Sequence, residues 1–407
     1  MKRTFRNLGL FMLASAAFLS CQKDNAVEDS STREHRFLRV LVSDQESKQL
    51  TQINPYDGTT STFDAKYPLA NLYTTASQRF AAVLYQGQNL VEVFDSGFES
   101  HVDHVDQKGT PKFGSITATG LKPTHFKSRG QESLIFNDGD GTLSLGNETN
   151  FHTAGAQMQV INAGLVPHHG AMAAFDNGTY AVTSAPASGK SPNRVLVIDK
   201  QGKTTHASTQ EVGAIHGNAT DGAHAVFGAY TSAEATSGGV LVVESNGEQR
   251  MIANPAGFGA YRLGSIYYAA AAKKFIGFVA TKGAYLIDLS SNQITPIYAG
   301  TDAFQCKVDY AGNRLLVLSL DGKLRVYDLA SNRLIKEGNV IGTTDAGATY
   351  KPILEATNRF AYIALPTTGE VHQINLETLA TTTKHKVSAK PVRLTLLGFE
   401  SSEGHND

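Results

Sequence analysis

The chain has no tryptophan and only two cysteines in 407 residues. Two cysteines exclude a disulfide-stapled scaffold and a cysteine-based zinc finger. Cys21 stands at the end of an N-terminal leader, so Cys306 is the one thiol expected inside the folded domain, as a buried and inert group. Charge is also scarce. Asp, Glu, Lys and Arg make up 18% of the chain, and 36 basic residues meet 37 acidic ones for a formal net charge of −1. A balance so close to zero excludes the basic footprint of a nucleic-acid or polyanion binder. What is present is apolar and turn-forming: 41% hydrophobic residues and 38 glycines, with frequent Thr, Val and Ala. That is a core-forming, β-leaning composition. Length alone, at roughly 150 residues per domain, suggests two or three domains, but propellers run longer as one unit.

Residues 1–21 read as a lipoprotein-type signal peptide. Lys2, Arg3 and Arg6 supply its positive end, and the apolar stretch Leu8 to Leu19 is too short to span a bilayer as a mature helix. It ends Phe18-Leu19-Ser20-Cys21, which resembles a bacterial lipoprotein cleavage box, with Phe18 where Leu is usual. On this reading Cys21 carries lipid, residues 22–35 are a polar tether, and the protein is exported to the periplasm and held on a membrane surface. No later segment reaches 18 uncharged apolar residues, so the remainder is expected to be soluble.

From residue 36 the texture is uniform. Short β-branched runs such as Arg194-Val-Leu-Val-Ile198 and Leu324-Arg-Val-Tyr-Asp328 alternate with Gly, Asp and Asn turns, the grammar of hairpins. The runs recur at Val195, Val240, Tyr285 and Val326, steps of 45, 45 and 41 residues. Four short strands per 40–50 residues is the signature of a β-propeller blade, and about 360 residues at about 45 each give eight blades, with seven as the alternative. A pair of β-sandwiches would explain the strands but not the step. Lys390-Pro391 resembles Lys351-Pro352 and Lys122-Pro123, each the start of an innermost strand. The last of these has no strands after it. It is expected to complete the blade begun by residues 36–66 and so close the ring, removing an open edge. The reading is an all-β, single-domain propeller over residues 36–400, followed by a disordered tail, 401–407.

The 13 histidines are unevenly spread, with none between His224 and His372. Three fall at the same point of successive repeats: His125 in Pro123-Thr-His-Phe, His169 in Pro167-His-His-Gly and His216 in Ala214-Ile-His-Gly. Innermost strands line a propeller's channel, so equivalent residues of adjacent blades face one axis. Three imidazoles there would reach one ion, and zinc takes three or four N, O or S ligands at about 2.0–2.3 Å. The glycines after His169 and His216 would allow close approach of backbone and ion. His168, next to His169 on a strand, would face the other way and stay out of the site. His101-Val-Asp-His104-Val-Asp106 is read as a loop entering the same region, able to donate further ligands. The other histidines, His35, His152, His206, His224, His372, His385 and His405, are read as surface residues at turns or termini.

These residues, His101 to His104, Pro123 to His125, Pro167 to Gly170 and Ile215 to Gly217, set behind a secretion signal with eight-blade spacing, resemble the AztD-type periplasmic zinc metallochaperones. The resemblance implies a β-propeller that binds Zn2+ and passes it to the solute-binding protein of a zinc ABC importer. It also implies His104, His125, His169 and His216 as zinc ligands, with His101 as an accessory. A monomer is expected. Two departures are the sparse His loop and the lipid anchor. Two other functions stay open on the residues. One is a metal-dependent propeller enzyme, a hydrolase or lyase using the channel His with Tyr261 or Arg262, although no Gly-x-Ser-x-Gly nucleophile occurs. The other is a protein-interaction propeller that holds no metal.

Overall fold

The structure, a computed structural model, describes residues 36–101 and 105–399. Cys21, the leader, the tether, His35, His104 and the tail with His405 lie outside the described residues. Eight four-stranded antiparallel sheets form a closed ring. Blade 1 runs outward through Asn71–Thr74, Phe80–Tyr85, Leu90–Asp95 and the short Lys112–Phe113. Blades 2 to 7 follow with innermost strands Pro123–Arg129, Met172–Ala174, Ile215–Thr220, Ser265–Ala269, Ala303–Val308 and Ile353–Ala356. Blade 8 is composite: its innermost strand is Pro391–Gly398, and Leu38–Asp44, Gln49–Ile53 and Thr60–Asp64 complete it. The closing ladder runs from Leu38 opposite Gly398 to Asp44 opposite Pro391. The expected ring closure and the count of eight both hold. The four runs that set the period are the third strands of blades 3 to 6.

Alternation along the strands explains why the ring forms. Each inner strand sends apolar side chains to both faces of its blade, and neighbouring blades bury them in a shared seam. Eight apolar clusters result, one per seam. The seam between blades 7 and 8 joins Tyr362 and Ala364 to Val40, Leu394 and Leu396. The next seam joins Leu41 and Leu397 to Leu72, Val83 and Phe94 of blade 1. At roughly 1.5–3 kcal/mol for each large buried side chain, these two seams hold the terminal segments together without a disulfide. Outermost strands such as Arg333–Asn339 are polar and exposed, as the rim of such a ring requires. Among the described residues no helix is long and apolar enough to cross a membrane.

Ladder register sorts the channel into tiers. Innermost residues opposite the fifth residue of the second strand (counted from Arg39 in blade 8) include Asn71, His125, Ser265, Gln305, Ile353 and Arg393, the mouth tier. Two residues further, Tyr73, Lys127, Tyr267, Lys307, Glu355 and Thr395 belong to the second tier.

Candidate metal centre

His125 lies on the innermost strand of blade 2 and His216 near the start of that of blade 4. His169 precedes the innermost strand of blade 3, on the bend that enters it. Each side chain offers one nitrogen, and the three nitrogens lie within 4.8 Å of one another. The ring centroids are 4.6 Å apart for His125 and His169, 5.4 Å for His169 and His216, and 6.1 Å for His125 and His216. The three repeats thus converge as the spacing predicted.

Local structure explains how a loop residue joins two strand residues. His168 turns inward. Its Nδ1 meets Val166 O at 2.7 Å, its Nε2 meets Thr183 Oγ1 at 3.1 Å, and its ring stands edge-on to Phe136. That anchor projects His169 to the opposite side. The exclusion of His168 holds, although the pair sits on a bend and not a strand. The glycines do different work from that expected. A Cβ on Gly170 would lie 2.3 Å from the Phe136 ring. Gly217, at φ +73°, abuts Gly264 O and makes the bulge between Ile215 and Asn218. Both let the chain meet a neighbouring blade, and the Gly264 O that Gly217 abuts is the atom bonded by His216 Nδ1.

Hydrogen bonds fix the tautomers. His216 Nδ1 lies 2.8 Å from Gly264 O and must donate, since a carbonyl only accepts. His169 Nδ1 lies 2.6 Å from Asp138 Oδ2 and donates in the same way. In both rings the Nε2 lone pair is left to accept a metal. Asp138 follows the second strand of blade 2 and is nearly enclosed; its other oxygen accepts from Gly170 N. His125 Nε2 faces His169 Nε2 at 3.3 Å. Two nitrogens at about 2.0–2.1 Å from one tetrahedral zinc are themselves about 3.3 Å apart. The His125–His169 pair therefore has the separation of two ligands on one such ion, and the third nitrogen lies within 4.8 Å.

The electrostatics divide the three. Burial, together with His169 and His216, holds the His125 imidazole down to about 4. Burial also lowers His216. The Asp138 hydrogen bond raises His169. Burial thus favours the neutral, metal-accepting form of His125 and His216, while Asp138 makes His169 the ring at which a proton competes most with a metal. Cations flank the site. Arg262, which donates to Ala214 O and lies over the Tyr230 ring, pushes protons off His169 and His216. Lys127, one tier deeper, donates to Asn218 O at 2.7 Å, and burial lowers it to about 8. A metal cation would meet an ammonium below and the open mouth above.

The described part of the 101–106 loop, His101 with Val105 and Asp106, departs from expectation. It forms part of the hairpin Phe98–Ser100 and Val105–Gln107, which leaves blade 1 between its third and outermost strands. Phe98 packs against Phe37 and against Gly398, the end of an innermost strand. The trio sits where innermost strands begin, so the hairpin decorates the opposite face of the ring. His101 there meets Asp106 at 3.4 Å and is outside the three-His group. The structure therefore does not bring His101 to the trio, and His104 lies outside the described residues. His372 and His385 are also not surface residues. Both are buried on strands of blade 7, bonded to Glu370 and Gln373. His152 meets Asp95 at 2.6 Å. Cys306 is buried on the innermost strand of blade 6, and burial pushes its thiol far up, as an inert group requires. Sequence reasoning missed Asp138 and Lys127, and named Arg262 only for the enzyme reading. Asp138 sits in Asn137-Asp-Gly-Asp-Gly141, which reads as an ordinary hairpin turn.

No protein-family model matches the chain, and no curated protein matches it. Solved structures do. AztD of Citrobacter koseri is 21% identical over 91% of this chain and all of its own, with a TM-score of 0.80. The apo form of the same protein gives 20%, 90% and 99%, with a TM-score of 0.79. The dihydro-heme d1 dehydrogenase NirN is 13% identical over 88% of this chain and 74% of its own, with a TM-score of 0.57. At these identities the likeness establishes the architecture: this chain is an eight-bladed propeller with the overall fold of AztD, carrying a three-histidine cluster able to hold a metal ion.

Proposed function

We propose that the protein binds zinc through the Nε2 atoms of His125, His169 and His216 and carries it outside the cytoplasm for transfer to a partner. The observation that carries this is the 3.3 Å approach of two imidazole nitrogens beside a third whose tautomer is fixed by Gly264 O. Two facing lone pairs repel each other unless a proton or a metal lies between them. Asp138 holds His169 in register and supports the positive charge that its ring takes on in coordination. Three protein ligands leave at least one position facing the mouth, so a partner's ligand could attack there and draw the ion off by exchange. By resemblance that partner is the solute-binding protein of a zinc ABC importer. Lipid at Cys21 would keep the carrier at a membrane surface in the periplasm. His101 serves no role in holding the ion on this reading, because the described part of its hairpin emerges on the other face.

A second reading rests on the same open position. Three His ligands with a free site are also the arrangement of catalytic zinc in hydrolases and lyases. Asp138 is engaged by His169 and by Gly170 N, which leaves it poorly placed as a general base. The deciding experiment is elemental analysis of the purified chain before and after chelation, followed by transfer to an acceptor and a turnover assay. One zinc per chain, lost in His125→Ala and His169→Ala variants that remain folded, supports the site. Unchanged metal content in the double variant rejects it. Release to an acceptor without turnover selects carriage.

A further inference from the structure

A cavity of about 400 Å³ occupies the channel on the side away from the three histidines, lined by blades 6, 7, 8 and 1. Its polar groups come from both tiers. Arg393 on the mouth tier donates through Nε to Asn71 Oδ1 and through Nη1 to Val392 O. Among the described residues it has no carboxylate partner, and its Nη2 makes no protein hydrogen bond. On the second tier Lys307 is paired with Glu355, so those two charges cancel. Tyr73 lies within the electrostatic reach of both Arg393 and Lys307, and burial raises its phenol, which stays protonated as a donor. That hydroxyl has no hydrogen-bond partner among the described residues, although the ring is fixed by stacking on Phe126 at 5.6 Å. Gln305 completes the ring of polar groups, its Oε1 already occupied by Leu354 N. The remaining wall includes Thr395, bonded to Thr74, and the partly exposed apolar side chain of Ile353.

Charge and volume together define what fits. The cavity carries one uncompensated positive charge, and burying such a charge without a counterion is costly. The donors left unused, on Arg393 and Tyr73, suit an acceptor-only group such as a carboxylate. At roughly 30 Å³ per water the space holds about a dozen waters, enough for a molecule of a few carbons but not for a nucleotide. We propose that this compartment binds a small organic monoanion, with the carboxylate held by Arg393 Nη2 and the Tyr73 hydroxyl and the carbon chain lying against Ile353. The site is separate from the histidine cluster, and the inference does not depend on zinc being the cargo there.

Butyrate is the test probe, with butyramide as its uncharged counterpart, titrated calorimetrically into the intact protein at low salt. Wild type should bind one butyrate saturably and butyramide at least about tenfold more weakly, because charge-assisted hydrogen bonds are roughly twice as strong as neutral ones. Tyr73→Phe keeps the stacked ring and should weaken butyrate about fivefold to tenfold, and Arg393→Gln should abolish binding. If Arg393→Gln fails to fold, the Tyr73→Phe result and the butyramide comparison decide. Absence of saturable butyrate binding to wild type overturns the proposal. So does equal binding of the two probes, or wild-type affinity in Tyr73→Phe.

Discussion

Asp138→Asn is the sharpest probe of the metal centre. The substitution keeps shape and a hydrogen-bond acceptor for His169 Nδ1, now 2.6 Å from Oδ2, and removes only the negative charge. Outer-sphere carboxylates of this kind contribute about 10- to 100-fold in metal affinity, roughly 1.4–2.7 kcal/mol. The same charge also favours a proton on His169, whose pKa it raises. Above that raised pKa the ring is neutral in both proteins, and the variant should show the full loss. Below it, wild type must first expel a proton that the variant holds less tightly, so the two affinities should converge as the pH falls. Competition with a chromophoric zinc chelator between pH 5.5 and 8 measures both limbs. An affinity within twofold of wild type at pH 8 would refute the claim that Asp138 supports coordination. A loss that stays constant across the range would refute the assignment of the proton.

Other outcomes follow from the same geometry. His216→Ala should remove the stoichiometric zinc while leaving the unfolding midpoint within a few degrees, since the ring is only half-buried and lies outside the apolar seams; atomic absorption and calorimetry check the two halves. In wild type, apparent zinc affinity should fall about tenfold per pH unit just below the raised pKa of His169 as one proton competes, and more steeply at lower pH as His216 and, at about 4, His125 also titrate; a dependence steeper than tenfold per unit already at pH 7 would contradict this. Replacement of His101 by Ala should leave zinc affinity at the trio unchanged, and a loss above about threefold would put the hairpin back at the site. Leu396→Ala, in the closing seam, should cost about 2–5 kcal/mol in denaturant unfolding, and a change under 1 kcal/mol would show that the closing strand does not hold the ring.

The steps between Val195, Val240, Tyr285 and Val326 were legible because the third strands of blades 3 to 6 are apolar runs between obligatory turns. Likewise, His125 and His216 could be aligned by their place at the start of strands. His169 fitted less well, because its blade begins three residues later, at Met172, and the bend held by His168 makes up the difference. Turn residues were the blind spot. Nothing distinguishes Asp138 from Asp140 two positions on, yet one holds His169 and the other ties Thr142. The placement of His101 has a related cause. His101-Val-Asp-His104 has the ligand types of a metal loop, but the face on which it emerges depends on strand direction, which is set by the ladder and not by composition.

By itself the sequence determined the repeat, a ring of eight or seven blades and its closure, because apolar periodicity and turn spacing are written locally and every seam must be filled. It also determined which three imidazoles are equivalent copies. Only the tertiary structure decided which nitrogen each ring presents, which face the hairpin occupies, and that Lys127 and the cavity beside Arg393 share the channel. Those properties arise from contacts between blades far apart along the chain, where hydrogen-bond partners and burial are set by neighbours that no local pattern names.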